Sequence, residues 1–563
     1  MNKNNQNIKY ILILLLATLV LYSPMINKFY IGHDTTFHLT NMNMFLDKLQ
    51  TFTFFSYKIF GTGVAGNLGY GTFIFYPSFS YLLTAYIGNI LYILKTPEEM
   101  SITLSLSIIA FLSSLSIFYL ANKLYKDKMI STLGGITYIS SIYFLCNTYV
   151  RGALAESLTF IFIPIVFSAL YELFNGNTKK FYLLFVIGYT GMINSHLVIS
   201  VYLTTLIIII FIINYKKVFK LKYIKPLLIS SLIVLLISSP YLVPLVEHKI
   251  KGNYVVFDKE SMYSIYELKY HVSHLYDYLY MGNKTENGIR VYINYITLIC
   301  LIIVIYNKKS IIKTKEKEIY RNLLIFLLAS IFLTSSLFPW EIIPKFFYNI
   351  QFPWRIFTFV SFAISLLSCL VIRIIPNKGE KIIVPIIIIL TLLLSLNSLD
   401  NIKDYSEEVP YYFNNDLGHQ VEYLPVNTRD NYEYFESRSN TIEIIEGNAK
   451  IKEILNDTPY LEANIDLEGE KVTLELPRLY YLGYRIKLID KNNNKINLNY
   501  YENEKGFMEV TIPKSGTMIV KYKGTKLGNI SFIISIIVIL LFPLIINNCH
   551  KEKTRWKRKN YVS

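Results

Sequence analysis

Cysteine is nearly absent from this chain: Cys146, Cys300, Cys369 and Cys549 are four in 563 residues. They lie in or beside apolar stretches with no paired spacing, which argues against a disulfide framework or a zinc site. Carboxylates are outnumbered, 40 against 56 Lys and Arg, and there are eight histidines. No Walker phosphate loop, zinc signature, Ser-His-Asp order or dinucleotide fingerprint occurs, so an ATP-driven pump or a soluble-cofactor enzyme has no support. The apolar stretches lack the chains of internal charge expected of a proton-coupled transporter. Internal repeats and low-complexity tracts are missing as well.

What the chain has in quantity is hydrocarbon. Hydrophobic residues make up 53% of it, the mean hydropathy is +0.36, and they come in blocks of about 17–25, the length that crosses a bilayer core as a helix. Backbone groups have no water partner in lipid, so the blocks should be helices. Spans are expected near 10–25, 101–121, 129–148, 155–174, 180–193, 195–214, 226–246, 291–306, 322–338, 355–374, 381–398 and 528–548, about twelve in all. The first has the short core of a signal peptide but no small-residue cleavage site after it, and is read as an anchor. Residues 73–94 are apolar enough to span, but Pro77 and the charge count below favour a helix that lies along the interface or re-enters from outside.

Net charge is +16, and its placement carries the information. Basic clusters at 123–128, 179–180, 216–225, 308–321, 373–381 and 551–559 fall between spans and at the C-terminus, where short Lys/Arg loops stay cytoplasmic. An even number of spans then puts both termini inside. Attraction to anionic lipid explains the charge better than nucleic-acid binding does. The wealth of Ile, Asn, Lys and Tyr suits an AT-rich bacterial genome.

After Asn397 the character changes. The run Lys471–Leu476 and the run Tyr484–Ile489 alternate like strands, and turn residues at 490–494 and 514–516 separate them. The expected organisation is a polytopic membrane domain over 1–398 with a large first external loop at 26–100, then an external β-sandwich-like domain over 399–526. A final transmembrane helix and basic cytoplasmic tail cover 527–563. The first loop is rich in glycine (Gly61, Gly63, Gly66, Gly69 and Gly71), which suits either close backbone approach to a ligand or a flexible loop.

The residues able to do chemistry collect on the outer side of this topology. Gly32, His33 and Asp34 follow the first span, with His38 one helical turn on. Asp34 can take a proton from a hydroxyl or hold a cation, and can also cap the helix it precedes; the roles can coexist. Arg151 and Glu156 sit in a short outer turn, where charges this close to hydrocarbon are expensive unless paired or used. His196 interrupts two apolar pieces. Gln351, Phe352, Pro353, Trp354 and Arg355 head a later span, where Arg355 either snorkels to headgroups or grips a lipid-linked phosphate. His271 and His274, near Asp277 and Glu260, have a spacing open to a metal, although a solvated loop is the commoner meaning. Asn283 to Thr285 matches a glycosylation sequon, a pattern frequent by chance.

Taken together, Gly32-His-Asp34 with His38, the segment Gly69 to Pro77, the run Arg151 to Glu156, His196, the run Gln351 to Arg355 and the phrase Leu476 to Gly483 resemble bacterial multi-pass proteins of the GT-C glycosyltransferase superfamily. The likeness is to YfhO-like proteins and to those labelled 6-pyruvoyl-tetrahydropterin synthase-related, and it covers nearly the whole chain. The synthase behind that label is a soluble metal enzyme of another architecture, and no pterin chemistry is expected. The resemblance implies sugar transfer from a polyprenyl phosphate to an extracytoplasmic glycan or cell-wall acceptor. Asp34 would be the general base, Arg151 and Arg355 would neutralise the departing phosphate, and His38, Glu156, His196 and Gln351 would hold sugar or acceptor. No nucleotide cofactor is implied, and a divalent metal stays open because Asp34 stands alone where some members carry an acidic pair. The alternative is a non-catalytic transporter, flippase or envelope-assembly scaffold of the same architecture.

Overall fold

The computed structural model describes residues 3–25, 29–50, 67–95, 100–258, 265–279, 289, 291–344, 352–375, 377–403, 407–409 and 421–559. It is mostly helical, with a β unit near its C-terminal end. Each stretch expected to span falls on a helix. Among the described residues seven helices are long and apolar enough to cross a membrane: Asn7–Met25, Met100–Tyr125, Leu154–Phe174, Leu221–Lys251, Pro353–Val371, Gly379–Leu399 and Lys526–Asn547. An eighth is counted if Lys128–Ile139 and Ile142–Arg151, bent by 44° at their junction, form one span. Phe79–Ile93, Leu197–Ile213 and Tyr295–Tyr306 are shorter apolar helices, and Lys317–Thr334 carries Lys317, Glu318 and Arg321 in its first turns.

Polar side chains start several of these helices where the sequence turns. The Asp127 carboxylate accepts from the Ile130 amide at 2.9 Å, and Asn294 accepts from the Ile296 amide at 3.1 Å, each satisfying a donor that the first turn leaves open. Between helices, hydroxyls donate to backbone carbonyls: Tyr125 to Leu366 at 2.7 Å, Ser395 to Ser140 at 2.9 Å and Tyr149 to Leu21 at 2.7 Å. Such bonds matter in lipid, where apolar attraction between helices is weak. Pro353–Val371 is the central helix, with 94% of its apolar window buried, against 17% for Lys526–Asn547. The latter turns Ile533, Leu540 and Leu544 outward, as a helix facing lipid does.

Strand β1 (Phe29–Ile31) pairs antiparallel with β2 (Glu407–Val409), joining the exit of the first helix to the segment after the helix Asn377–Lys403. The β unit has two antiparallel sheets. One has the order β3 (Glu443–Glu446), β6 (Val472–Leu479), β10 (Phe507–Ile512) and β9 (Tyr501–Glu502). The other has the order β4 (Ala449–Asp457), β5 (Tyr460–Leu467), β11 (Gly516–Tyr522), β7 (Tyr484–Asp490) and β8 (Lys495–Leu498). In β7 the residues alternate as expected, with Tyr484, Ile486 and Leu488 buried and Arg485 and Lys487 exposed. β6 departs from alternation: all eight of its residues are buried. Its polar positions find partners in the chain that precedes β3 and at the adjoining ends of β4 and β5. Arg438 donates to Glu475 at 2.8 Å, Tyr434 donates to Glu475 at 2.7 Å, and Arg478 donates to Asn456 Oδ1 at 2.6 Å and to Tyr460 O at 2.9 Å.

The β unit rests on the membrane portion through backbone contacts. The Leu479 amide donates to Leu68 O at 2.8 Å and the Val255 amide to Leu424 O at 3.0 Å. Tyr254 and Tyr481 stack at 5.5 Å between centroids. Glycines 61, 63 and 66, Glu260, Gln351 and the sequon at 283–285 lie outside the described residues.

Arg438 and Glu475 are 6% and 3% exposed, so removing one partner leaves the other charge buried and uncompensated. Arg438→Ala should destabilise the protein by about 3–5 kcal/mol, read as a lower denaturant midpoint of the strand signal in circular dichroism. The Arg438→Met/Glu475→Leu pair should lose less, because no buried charge is stranded; Glu443, the other partner of Arg438 at 2.9 Å, is exposed to water.

Candidate functional site

The site begins with two backbone hydrogen bonds. The His33 amide donates to Val150 O at 3.1 Å and the Asp34 amide to Arg151 O at 2.8 Å, so the segment after the first helix runs against the turn before Leu154–Phe174. Only glycine fits this approach: a Cβ on Gly32 would lie 2.2 Å from Val150 O. Gly152 has φ +62°, and a Cβ there would lie 2.0 Å from Thr35 Oγ1. That hydroxyl oxygen in turn accepts from the Gly32 amide at 2.9 Å.

This docking sets Asp34 on Arg151. Arg151 ends a π-helical turn, Asn147–Arg151, and is 3% exposed. Its Nη2 donates to Asp34 Oδ2 at 2.8 Å. Its Nη1 donates to Glu156 Oε2 at 2.6 Å and to Asn147 Oδ1 at 2.8 Å. The guanidinium lies 4.7 Å from the Trp354 ring centroid. Glu156, in the first turn of its helix, also accepts from Tyr143 at 2.6 Å and from Asn147 Nδ2 at 3.1 Å. Arg355 Nε stands 3.5 Å from Glu156 Oε2, and its guanidinium lies 4.8 Å from the Phe352 ring. Two carboxylates and two guanidiniums thus form one network. Asp34, with 30% of its side chain exposed, is the open end, while Glu156 at 1% is the closed one.

The two histidines sit beside this network. His38 Nδ1 is 2.7 Å from the Tyr81 hydroxyl. His196 caps Leu197–Ile213 by accepting from the Ile199 amide at 3.4 Å. Tyr76 lies between them, its ring 6.5 Å from His38 and 6.2 Å from His196. The charges of Asp34, Arg355, Arg151 and Glu156 all act on the Tyr76 hydroxyl. The structure therefore brings together Asp34, His38, Arg151, Glu156, His196 and Arg355. Beside the capping role weighed for Asp34, the structure pairs its carboxylate with the Arg151 guanidinium.

His271 and His274 belong elsewhere. His271 packs on Phe352 at 4.8 Å. The His274 amide donates to Asp277 at 2.6 Å and its ring contacts Ser336 at 3.2 Å. Among the described residues no group of three or more His, Cys, Asp or Glu is placed to hold a metal.

Sequence reasoning missed Tyr143 and Asn147, although 143, 147 and 151 recur every fourth residue and so share a helix face. It also missed Glu422. This residue stands in the turn Val421–Tyr423, whose Tyr423 ring stacks on Phe75 at 5.6 Å and lies 6.4 Å from Phe37. Glu422 Oε2 is buried with no hydrogen-bond partner among the described residues. Burial, with the Asp34 charge adding to it, raises the Glu422 carboxyl above the usual carboxylate range. No sequence signal marks this acid, which approaches the Asp34 neighbourhood only in the folded chain.

Residues 73–402, more than half of the chain, match the family model described as "6-pyruvoyl-tetrahydropterin synthase related domain; membrane protein". An uncharacterized protein of Lactococcus lactis subsp. cremoris (strain MG1363) is 26% identical over 265 residues, 45% of this chain and 41% of that relative. The chain thus matches about two fifths of that protein's length. The match to the family contains Arg151, Glu156, His196 and Arg355, while Asp34 and His38 precede it and the β unit follows. The chain belongs to this family of membrane proteins.

Burial pushes the His38 imidazole down to about 4, so it is neutral in the folded protein at pH 7. An unfolded chain takes up the proton near pH 6.5. The stability that neutral His38 contributes is complete above pH 6.5 and is lost as pH falls toward 4. Unfolding midpoints of the detergent-solubilised protein should show about 2 kcal/mol lost between pH 7 and 5 on this account, and His38→Gln should remove that part of the slope.

Proposed function

We propose that this membrane protein is a glycosyltransferase of the GT-C kind, moving a sugar from a polyprenyl-phosphate donor to an extracytoplasmic glycan or cell-wall acceptor. One observation carries the reading: Asp34, the Arg151–Glu156 turn and Arg355 come from three separate segments and meet in one ion network. A carboxylate beside guanidiniums, at the edge of apolar helices, is the set of groups that sugar transfer from a lipid phosphate requires. Asp34, the open end of the network, takes the proton of an acceptor hydroxyl as its oxygen attacks the anomeric carbon. The bond from that carbon to the phosphate oxygen breaks, and the charge gathering on the lipid phosphate is met by Arg355 and Arg151. Direct displacement inverts the anomeric centre. His38, His196, Tyr76 and Glu156 line or brace the position of sugar and acceptor, with Gln351 assigned there by resemblance.

In this reading the chain has twelve spans, both termini lie in the cytoplasm of a bacterial cell, and the β unit lies outside, over the site. Its support is that each apolar stretch is helical and that the basic clusters then fall on one side.

A second reading, a scaffold, transporter or flippase, draws on a different observation. Nη1 and Nη2 of Arg151 are already committed to Asn147, Glu156 and Asp34, as in a purely structural pair. The two readings separate in a deletion host complemented with variants. For a transferase, Asp34→Asn and Arg355→Ala lower the envelope sugar by roughly 100-fold or more while the protein stays in the membrane. Glycans that respond to gene deletion but not to Asp34→Asn remove Asp34 as the base. A single cysteine in place of Lys126 should resist an impermeant thiol reagent in whole cells, and labelling there overturns the topology.

A further inference from the structure

The outer face of the five-stranded sheet carries a groove of about 510 Å³ that is lined by Arg485, Lys487, Lys495, Lys521, Lys523 and Asn529, with Ile489 and Ile519 between them. Among the described residues no acidic side chain lines it. The concentration of one sign follows from strand register. Arg485 pairs with Lys521 and Lys487 with Ile519 across β7 and β11, and Ile489 pairs with Lys495 across β8. Strand alternation turns Arg485, Lys487 and Lys521 away from the core. Lys521 lies over the Tyr460 ring at 4.6 Å. Among the described residues no ion pair neutralises Arg485, Lys487, Lys495 or Lys521. The neighbouring hollow on the same sheet is different: Asp466 and Asp490 are interleaved with Lys450, Lys452 and Lys491, and Lys491 pairs with Asp466 at 3.3 Å.

The groove has a definite address. β11 ends at Tyr522, and Lys523 and Asn529 flank the start of the helix Lys526–Lys559. That helix carries the apolar stretch Lys526–Asn547 and exposes Leu527, Ile530 and Ile533. The cationic end of the sheet therefore meets the level at which this helix leaves hydrocarbon. The headgroup layer there is about 5–7 Å deep on each side of the core, and phosphates are its anionic groups. Focused positive charge at that depth attracts them.

We propose that this groove is a binding site for the phosphate of an anionic phospholipid, seated between the foot of the five-stranded sheet and the last helix. Arg485, Lys521 and Lys523 contact the phosphate, and Lys487 and Lys495, up to about 13 Å farther along the strands, draw in the remaining headgroup. The site orients the β unit against the bilayer. It stands apart from Asp34 and does not depend on sugar transfer.

The test uses the full chain in detergent, titrated with dioctanoyl phosphatidylglycerol or dioctanoyl phosphatidylcholine, with bound lipid counted by native mass spectrometry. The wild type should take phosphatidylglycerol at least tenfold more tightly, and the preference should shrink as salt rises. Arg485→Glu/Lys521→Glu should lose that preference tenfold or more. The milder Arg485→Gln/Lys521→Gln, whose exposed positions leave folding intact by thermal melting, should lose part of it. Lys450→Glu/Lys452→Glu, an equal charge change on the same sheet, should leave it unchanged. Wild-type preference in both groove variants, equal binding of the two lipids, or displacement of phosphatidylglycerol by an equal concentration of inorganic phosphate would each overturn the proposal.

Discussion

A guanidinium with almost no access to water must be neutralised where it stands, and Arg151 is that group. Left alone among apolar helices its charge would cost several kcal/mol. Glu156 meets it from five residues ahead and Asp34 from 117 residues behind. The second partner arrives only because the backbone at 32–34 is fastened to the backbone at 150–151. The first helix is tied to the same turn by Tyr149 to Leu21 and by Tyr22 with Thr148 at 2.9 Å. Gly32 and Gly152 are thus conditions for the ion network, since a side chain at either would push the two segments apart.

The network also explains why the C-terminal third of the chain matters to a site built by the N-terminal part. β2 pairs with β1, just before Gly32. The turn Val421–Tyr423 then lays Tyr423 against Phe75 and Phe37, and its Glu422 feels the charge of Asp34. Beyond it, β6 is buried on both faces and anchors to Leu68. The β unit is therefore a wall of the same region. Its one-signed groove lies on the opposite, outward side of the five-stranded sheet, beside the last helix.

How much of this could be read beforehand depended on how far each residue stood out from its neighbours. Asp34, Arg151, Glu156 and Arg355 were legible because a charge at the edge of an apolar block is costly and therefore conspicuous. Tyr143 and Asn147 carried a four-residue spacing, yet looked like ordinary span residues because neither is charged. Glu422 lies in a segment rich in acids, where one more carboxylate carries no contrast. The alternation in β7 was visible, but β6 defied it, since whether a strand's second face meets water depends on what packs there. Helices followed the apolar blocks closely; how many of them cross is less legible, because 12 residues in Tyr295–Tyr306 are short for a bilayer on their own.

The amino-acid sequence by itself determined that this is a membrane protein made of helices with a strand-rich unit near its end. Block length, hydropathy and period-two alternation are local properties, and the solvent each block can tolerate follows from them. Which charges face one another was decided by the tertiary structure alone. Electrostatic pairing depends on distance through space, and the approach of residue 34 to residue 151 hangs on a backbone contact and two missing side chains that no local pattern encodes.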